Sequence, residues 1–272
     1  MKSFVVLILL CFIYMGQTVI AVHPSSTYSN TPCDYRILHS NAVVMTNDST
    51  SFLNVWEYQA NPKNDKNKVL ILAYADSGNM SHYISYAHDA ARAGFTVVTF
   101  DYRGFGLSGE FETDTTMLYY NEYANDLESI IDFTREKYPD QGLGIWGFSM
   151  GSIVSVLAVQ NSPVDFMAFD GAVTNIKVFN ERLFALRNKR AGLPPNSEKV
   201  KLAFENLKIP TLIFAGTEDK RCTVEDAEKL AKFNSNILSQ PFDGPHSYGY
   251  GTYYNKKESS KYFALINNLM KE

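Results

Sequence analysis

A serine stands between two glycines at positions 147–151, where the sequence reads Gly-Phe-Ser-Met-Gly and matches the pattern G-x-S-x-G. The apolar residues 143–147 before it are typical of a strand, and residues 149–160 have a helical pattern. A serine at a sharp strand-to-helix turn holds its hydroxyl above the sheet, where a base can reach it, and flanking glycines allow the tight backbone. The pattern therefore predicts a nucleophile elbow with Ser149 as the nucleophile.

The base that such a serine needs is predicted from the position of the histidines. A serine hydroxyl is a weak nucleophile at neutral pH, so a base must take its proton and an acid must orient that base. Only one of the five histidines, His246, lies in a loop directly after a predicted strand, residues 237–242. That loop returns to the edge of the sheet where the elbow opens, so His246 is predicted to be the base. The other histidines fall at the predicted mature N-terminus, in a strand pattern or in a helix pattern: His23, His39, His82 and His88.

The acid is predicted in the turn Gly-Thr-Glu-Asp at 216–219, which follows an apolar strand at 211–215. Asp219 is the preferred residue, because Glu218 would point elsewhere in a tight turn. Asp170, at the end of another predicted strand, is the second choice. The chain order of Ser149, Asp219 and His246 is that of the α/β-hydrolases and differs from the orders of chymotrypsin and subtilisin.

The elements that must position these residues alternate between strands and helices. Two strand patterns separated by a turn predict that the sheet begins with an antiparallel pair. Continuous apolar strands then alternate with helices. This alternation requires right-handed crossovers and a mostly parallel sheet covered by helices on both faces. The fold class is therefore α/β, with eight predicted strands. The predicted strands are 36–45, 52–59, 69–73, 96–100, 143–147, 166–169, 210–215 and 237–242, and the predicted helices are 80–93, 117–138, 149–160, 224–233 and 259–270.

Residues 173–206 exceed what an ordinary crossover needs. A connection of this length is often functional, so part of it is predicted to form a small helical cap over the site. A long crossover with an irregular end is the equally open alternative.

Three motifs together resemble the serine aminopeptidase and monoacylglycerol-lipase-like group of α/β-hydrolases. They are the D-x-R-G-x-G-x-S turn at 101–108, the G-x-S-M-G elbow at 147–151 and the G-x-x-D turn at 216–219. The resemblance covers the chain from about Val69 onward and implies the α/β-hydrolase fold. It also implies that Asp101 and Arg103 have an architectural role in the turn after the fourth strand.

The chain departs from that group at the oxyanion loop, which reads Tyr-Ala-Asp-Ser-Gly-Asn-Met at 74–80 where the group usually carries His-Gly. The oxyanion hole is normally built from the N–H after the nucleophile, here that of Met150, and from one N–H of this loop, here that of Asp76. In related prolyl-oligopeptidase-like and cocaine-esterase-like hydrolases a tyrosine at this place donates its hydroxyl. Tyr74 is therefore either an additional donor or a packing residue.

An aromatic and glycine-rich run follows His246 at 247–254. Its position beside the predicted base is consistent with an acyl or aromatic pocket. A solvent-facing loop before the last helix is equally consistent with the sequence.

Length, charge and the N-terminus limit the choice of function. The 272 residues fit one domain, 22–272, after a predicted cleaved export signal at 1–21, whose apolar stretch is shorter than a bilayer span. Removal of the single Lys in that signal changes the formal charge from −4 to −5, which offers no footprint for nucleic acid or an anionic membrane. Cys33 and Cys222 remain after cleavage and are predicted to be free thiols, because they fall on distant parts of the proposed sheet.

The sequence thus predicts an exported serine hydrolase, periplasmic or secreted, that cleaves small carboxylic esters through an acyl-enzyme. No cofactor or metal is predicted, because the histidines lack ligand spacing and no glycine-rich phosphate loop occurs. The expected partner is a small acyl substrate, with no nucleic acid and no stable membrane insertion after cleavage. A serine peptidase acting on short peptides and a non-catalytic binding protein on a hydrolase fold are the alternatives.

Overall fold

A mostly parallel sheet of eight strands forms the centre of the computed structural model, which describes residues 21–270. The strand order is β8-β7-β6-β5-β3-β4-β2-β1, and only the pairs β1–β2 and β2–β4 are antiparallel. The predicted fold class and the antiparallel start are therefore confirmed. The strands are β1 (Ser40–Met45), β2 (Phe52–Tyr58), β3 (Lys68–Ala73), β4 (Thr96–Phe100), β5 (Gly142–Phe148), β6 (Phe166–Asp170), β7 (Thr211–Gly216) and β8 (Ile237–Phe242).

The central strands carry continuous apolar runs because helices cover both faces of the sheet. Val69, Leu70, Ile71, Leu72 and Ala73 of β3 are fully buried, so neither face of this part of the strand meets water. The core therefore lies directly beneath the carboxyl ends of β3 and β5, where the candidate site is built.

Eight α-helices connect and cover these strands in the described residues. They are α1 (Ile84–Arg92), α2 (Asn121–Lys137), α3 (Met150–Ala158), α4 (Ile176–Arg187), α5 (Lys199–Glu205), α6 (Val224–Phe233), α7 (Gly249–Asn255) and α8 (Ser259–Asn267). Short 3₁₀ helices occupy Pro32–Tyr35 and Met80–Tyr83. In the part of the chain from 21 to 270, none of the helices has the length and apolar character needed to cross a bilayer.

The predicted long crossover at 173–206 contains two helices. α5 packs against α3 and α6, as an ordinary crossover helix does, while α4 is the additional element. Asn175 starts α4 by accepting the N–H of Val178 on its side chain, at a distance of 3.2 Å. The cap function of this insertion stays a prediction.

A second, two-residue parallel ladder pairs His23–Pro24 with Ser77–Gly78. Residues 22–32 are mostly polar, and none of the predicted strands includes them. The difference arises because Val22 is fully buried against the domain and the backbone that follows it pairs with the loop after β3. The predicted signal, apart from the buried Ala21, lies outside the described residues.

Candidate active site

The nucleophile elbow is formed by Ser149, the single residue between the end of β5 and the start of α3. Its φ of 47° and ψ of −110° lie in a region that non-glycine residues rarely adopt. A Cβ on Gly151 would lie 1.9 Å from the carbonyl oxygen of Ala73, and one on Gly147 would lie 2.8 Å from the Phe169 ring. Both glycines of the motif are therefore required because the neighbouring chain approaches them too closely for a side chain.

The three predicted residues meet at this elbow. His246 Nε2 lies 2.8 Å from Ser149 Oγ, and His246 Nδ1 lies 2.5 Å from Asp219 Oδ2. The residues are separated by 97 and 27 positions along the chain, so the fold alone brings them together. Ser149 is 9% exposed, so a small part of its surface is accessible to solvent.

Asp219 is held as an ionised acceptor by its surroundings. Burial would raise its pKa, but the hydrogen bond and charge of His246, with the N–H groups of Cys222 and Arg221 on Oδ1 at 3.0 and 2.8 Å, lower the pKa below its usual value. An ionised carboxylate can only accept, so the proton of the imidazole lies on Nδ1 and Nε2 is free to accept from Ser149. Glu218, the neighbouring acid, is exposed.

Asp170, the second choice for the acid, has a different role. Its carboxylate accepts the N–H groups of Gly249 and Tyr250 at 3.0 and 2.9 Å, at the first turn of α7. Its carbonyl oxygen accepts the N–H of Ser149 at 3.2 Å and the hydroxyl of Ser247 at 2.9 Å. Asp170 therefore connects the elbow to the segment directly after His246. Complete burial raises its pKa to about 7, against the lowering effect of the two N–H groups.

The main-chain N–H groups of Met150 and Asp76 stay predicted oxyanion donors. Met150 is the first residue of α3, so its N–H has no partner within the helix. Asp76 lies in the loop that follows β3, next to the elbow in the sheet order. Burial raises the pKa of the Asp76 carboxyl, and its hydrogen bond with its own main-chain N–H, followed by the charges of His246 and Arg221, opposes that shift.

The Tyr74 hydroxyl is directed into the core. It donates to Asp101 Oδ1 at 3.1 Å and accepts the N–H of Tyr102 at 3.4 Å, and the side chain is fully buried. Tyr74 also stacks on Tyr83, with 5.6 Å between ring centroids. A phenol held in this way favours the packing role over the oxyanion role.

The turn after β4 has the architectural contacts that the resemblance implies. The Arg103 guanidinium binds the buried Asp126 at 2.7 Å and Asp48 at 3.0 Å. Asp101 accepts the Met80 N–H at 2.7 Å in addition to the hydroxyl of Tyr74. These bonds attach the turn to α2, to the β1–β2 connection and to the oxyanion loop.

The aromatic run after His246 forms α7, so it is not the solvent-facing loop considered from the sequence, and its role in an acyl pocket stays a prediction. Tyr250 is buried against Trp146, with 5.6 Å between ring centroids, and its hydroxyl binds Asp89. Tyr248 and Tyr254 are exposed. The aromatic ring beside the base instead comes from α4, where Phe179 lies 6.5 Å from the His246 ring.

Cysteines and metal ligands add little to the site. Cys33 is exposed, Cys222 is buried, and both thiols are free. Within residues 21–270, one set of side chains could approach a metal ion, with ligand atoms of Asp219, Cys222 and His246 all within 4.8 Å of one another. Asp219 and His246 already bind each other, and burial raises the pKa of the Cys222 thiol well above its usual value. This donor set does not fit a metal ion.

Three comparisons with known proteins agree with this architecture. The family model for serine aminopeptidase, S33, matches residues 67–181. Human protein ABHD12B is 25% identical over an alignment of 195 residues. The alignment covers 63% of this chain and 51% of that protein, so the chain spans about half the length of this relative.

Solved structures share the fold over most of the chain. An esterase from Pyrococcus furiosus, Pf2001, superimposes with a TM-score of 0.71 and 20% identity, covering 92% of this chain and 99% of that one. An α/β serine hydrolase without lid from Xanthomonas campestris has a TM-score of 0.59 and 16% identity, covering 84% of this chain and 94% of that one. The family match, the sheet order and the strand-to-helix elbow agree: this chain has the α/β-hydrolase fold, and over residues 67–181 it is similar to the serine aminopeptidase family.

Proposed function

We propose that this protein cleaves small carboxylic esters, with Ser149 as nucleophile, His246 as general base and acid, and Asp219 as the carboxylate that orients the imidazole. The single observation that carries the proposal is the continuous hydrogen-bonded chain from Ser149 Oγ through the His246 ring to Asp219, at 2.8 and 2.5 Å. Such a chain activates a hydroxyl that is otherwise a poor nucleophile.

In the proposed reaction Ser149 Oγ bonds to the ester carbonyl carbon while its proton moves to His246 Nε2. The N–H groups of Met150 and Asp76 stabilise the oxyanion that forms. The tetrahedral intermediate then breaks its bond to the alcohol oxygen, which takes the proton from His246, and an acyl-enzyme remains. Water attacks this ester with His246 again accepting a proton, and the acid and free Ser149 are released.

The choice of esters rests on two supports. The Pyrococcus furiosus protein with which the chain shares its fold is described as an esterase. The sequence of 272 residues has a formal net charge of only −4, which gives no means of recruiting an ionic polymer. Short peptides are the second candidate substrate, because the matching family model is that of a serine aminopeptidase.

A substrate panel tests the choice. Purified protein is assayed on p-nitrophenyl esters of graded acyl length and on aminoacyl p-nitroanilides, with Ser149→Ala as the matched control. We expect turnover of short esters that is lost in Ser149→Ala. Faster turnover of the anilides than of the esters would favour a peptidase function over the proposed esterase function. A folded protein that turns over neither substrate class would favour a binding function.

Export is a further part of the proposal. It is supported by the short apolar stretch after Lys2 and by the small residue Ala21 before the predicted cleavage site. N-terminal sequencing of the protein recovered from outside the expressing cells is expected to give a chain that starts at Val22. Recovery of only the uncleaved chain inside the cells would contradict it.

A further inference from the structure

Residues 22–28 form an N-terminal strap, named here because it pairs with the loop that carries the proposed second oxyanion donor. The His23 N–H donates to the carbonyl oxygen of Asp76 at 2.7 Å, and the Ser25 N–H donates to that of Gly78 at 2.9 Å. These are the bonds of the two-residue parallel ladder. The strap therefore reaches the backbone of the oxyanion loop itself.

The strap is anchored independently of that loop. The Val22 nitrogen donates to the carbonyl oxygen of Thr115 at 3.1 Å, and the Val22 side chain is fully buried. The carbonyl oxygen of Ser25 accepts the N–H of Gly106, at 2.8 Å. The strap is thus fixed to the chain after β4 on one side and to the oxyanion loop on the other.

Two buried polar side chains connect the strap to the loop a second time. The amide of Asn79, which is fully buried, donates to the carbonyl oxygens of Ser25 and Thr27 at 3.1 and 2.8 Å. The Tyr28 hydroxyl donates to the Asp101 carboxylate, whose other oxygen receives the hydroxyl of Tyr74. A buried carboxylate with donors from both segments couples their positions.

These contacts fix the peptide planes on both sides of the Asp76 N–H. The preceding plane is held by the N–H of Ala75, which donates to the Tyr83 hydroxyl at 3.3 Å. The following plane is held by the Asp76 carbonyl oxygen, which accepts from His23. A peptide unit is planar, so with both neighbouring planes held the peptide that carries the Asp76 N–H can turn only about the axis between the Cα atoms of Ala75 and Asp76.

We propose that the N-terminal strap is a positioning element that orients the Asp76 N–H toward the oxyanion. The inference rests on the proposed function. It assigns a positioning role to residues 22–28. The fold-change at stake is large, because misplacement of a catalytic group by about 1 Å can cost about 100-fold in rate.

One backbone hydrogen bond can be removed with a matched control. The His23 side chain is exposed, so His23→Ala leaves the strap unchanged, whereas His23→Pro deletes the N–H that binds Asp76. In the full chain we expect His23→Pro to lower kcat on a short p-nitrophenyl ester by about 10- to 100-fold with little change in KM. His23→Ala is expected to stay within about twofold of wild type. Ser25→Pro with Ser25→Ala is a second pair, for the bond to Gly78.

A trifluoromethyl ketone separates positioning from simple loss of folded protein. This inhibitor forms a tetrahedral adduct with the nucleophile, and its oxygen occupies the oxyanion hole. Its Ki is expected to rise in the proline variants by the same factor as kcat falls. A merely structural strap would instead reduce the number of sites titrated by a fluorophosphonate, with Ki and kcat per titrated site unchanged.

The outcomes distinguish the two proposals. Wild type that hydrolyses the ester, with proline variants that match their alanine controls in Ki and kcat per site, would refute the strap and leave the hydrolase assignment intact. If His23→Pro does not fold, Ser25→Pro decides by the same criteria, and failure of both to fold would mean that the strap is structural. Wild type that neither turns over esters nor reacts with the fluorophosphonate would refute both proposals.

Discussion

The role of Asp219 can be tested by removing its charge without changing its shape. In Asp219→Asn, the side-chain oxygen must stay at the Oδ1 position to keep accepting the N–H groups of Arg221 and Cys222, at 2.8 and 3.0 Å. The amide NH₂ then faces His246 Nδ1, which must become the acceptor. The imidazole proton moves to Nε2 and points at Ser149, so the base has no lone pair for the serine proton.

The Asp219→Asn variant, whose imidazole carries its proton on Nε2, should be nearly inactive. By analogy with the corresponding aspartate-to-asparagine change in trypsin, a worked case with the same three roles, kcat should fall by about 10⁴, or about 5.5 kcal/mol of transition-state stabilisation. The assay is kcat/KM on a short p-nitrophenyl ester at neutral pH, with fluorophosphonate titration to count active sites.

The matched control is Asp170→Asn, at the other buried aspartate considered for the acid. Asp170 binds the first turn of α7 and has no contact with the imidazole nitrogen, so its variant should keep kcat/KM within about tenfold of wild type. An Asp219→Asn variant with less than a tenfold loss, or a larger loss in Asp170→Asn, would refute this assignment of the acid.

Three further predictions concern the surroundings of the triad. Tyr74→Phe should lower the free energy of unfolding by about 1–3 kcal/mol, because the Asp101 carboxylate and the Tyr102 N–H each lose a partner. Its acylation rate, measured by stopped flow, should change by less than tenfold, and a loss of about 10²–10³ would show instead that the phenol is an oxyanion donor. Asp76→Asn keeps the main-chain N–H and removes a negative charge near the developing oxyanion, so kcat should equal or exceed that of wild type, and a clear loss would assign the side chain a direct role. Asp170, with its pKa raised by burial to about 7, holds its proton in the folded chain at pH values where the unfolded chain has released it. Urea denaturation should therefore show wild-type stability falling relative to Asp170→Asn as the pH rises from about 4 to 7, by up to about 1.4 kcal/mol per pH unit, and parallel pH profiles would contradict this.

The residues of the triad could be predicted because each lies in a short local pattern at the end of a strand. The elbow glycines, the turn at 216–219 and the loop after β8 are defined by a few neighbouring residues, and a parallel sheet places the carboxyl ends of its strands at one edge. The sheet topology therefore brings the three residues predicted from local patterns, Ser149, Asp219 and His246, to one site. The architectural role of the turn containing Asp101 and Arg103 came from the family resemblance and not from this reasoning.

The parts that could not be predicted depend on contacts between distant positions. Residues 22–32 have the composition of a polar leader, and nothing in them indicates that Tyr28 will bind Asp101, 73 positions away. The run after His246 contains glycines that disfavour a helix, yet α7 forms there because Asp170 accepts its first N–H groups and Tyr250 packs into the core. Tertiary packing decided both cases against local preference.

Covalent labelling tests the central claim most directly. Purified wild type, Ser149→Ala and His246→Ala are treated with a fluorophosphonate, and intact mass and peptide mapping locate the adduct. The account predicts one adduct per chain on Ser149, none in Ser149→Ala, and much slower labelling in His246→Ala, because Nε2 no longer lies 2.8 Å from the hydroxyl to take its proton. Folded wild-type protein that stays unlabelled, or that is labelled equally fast without His246, would contradict it.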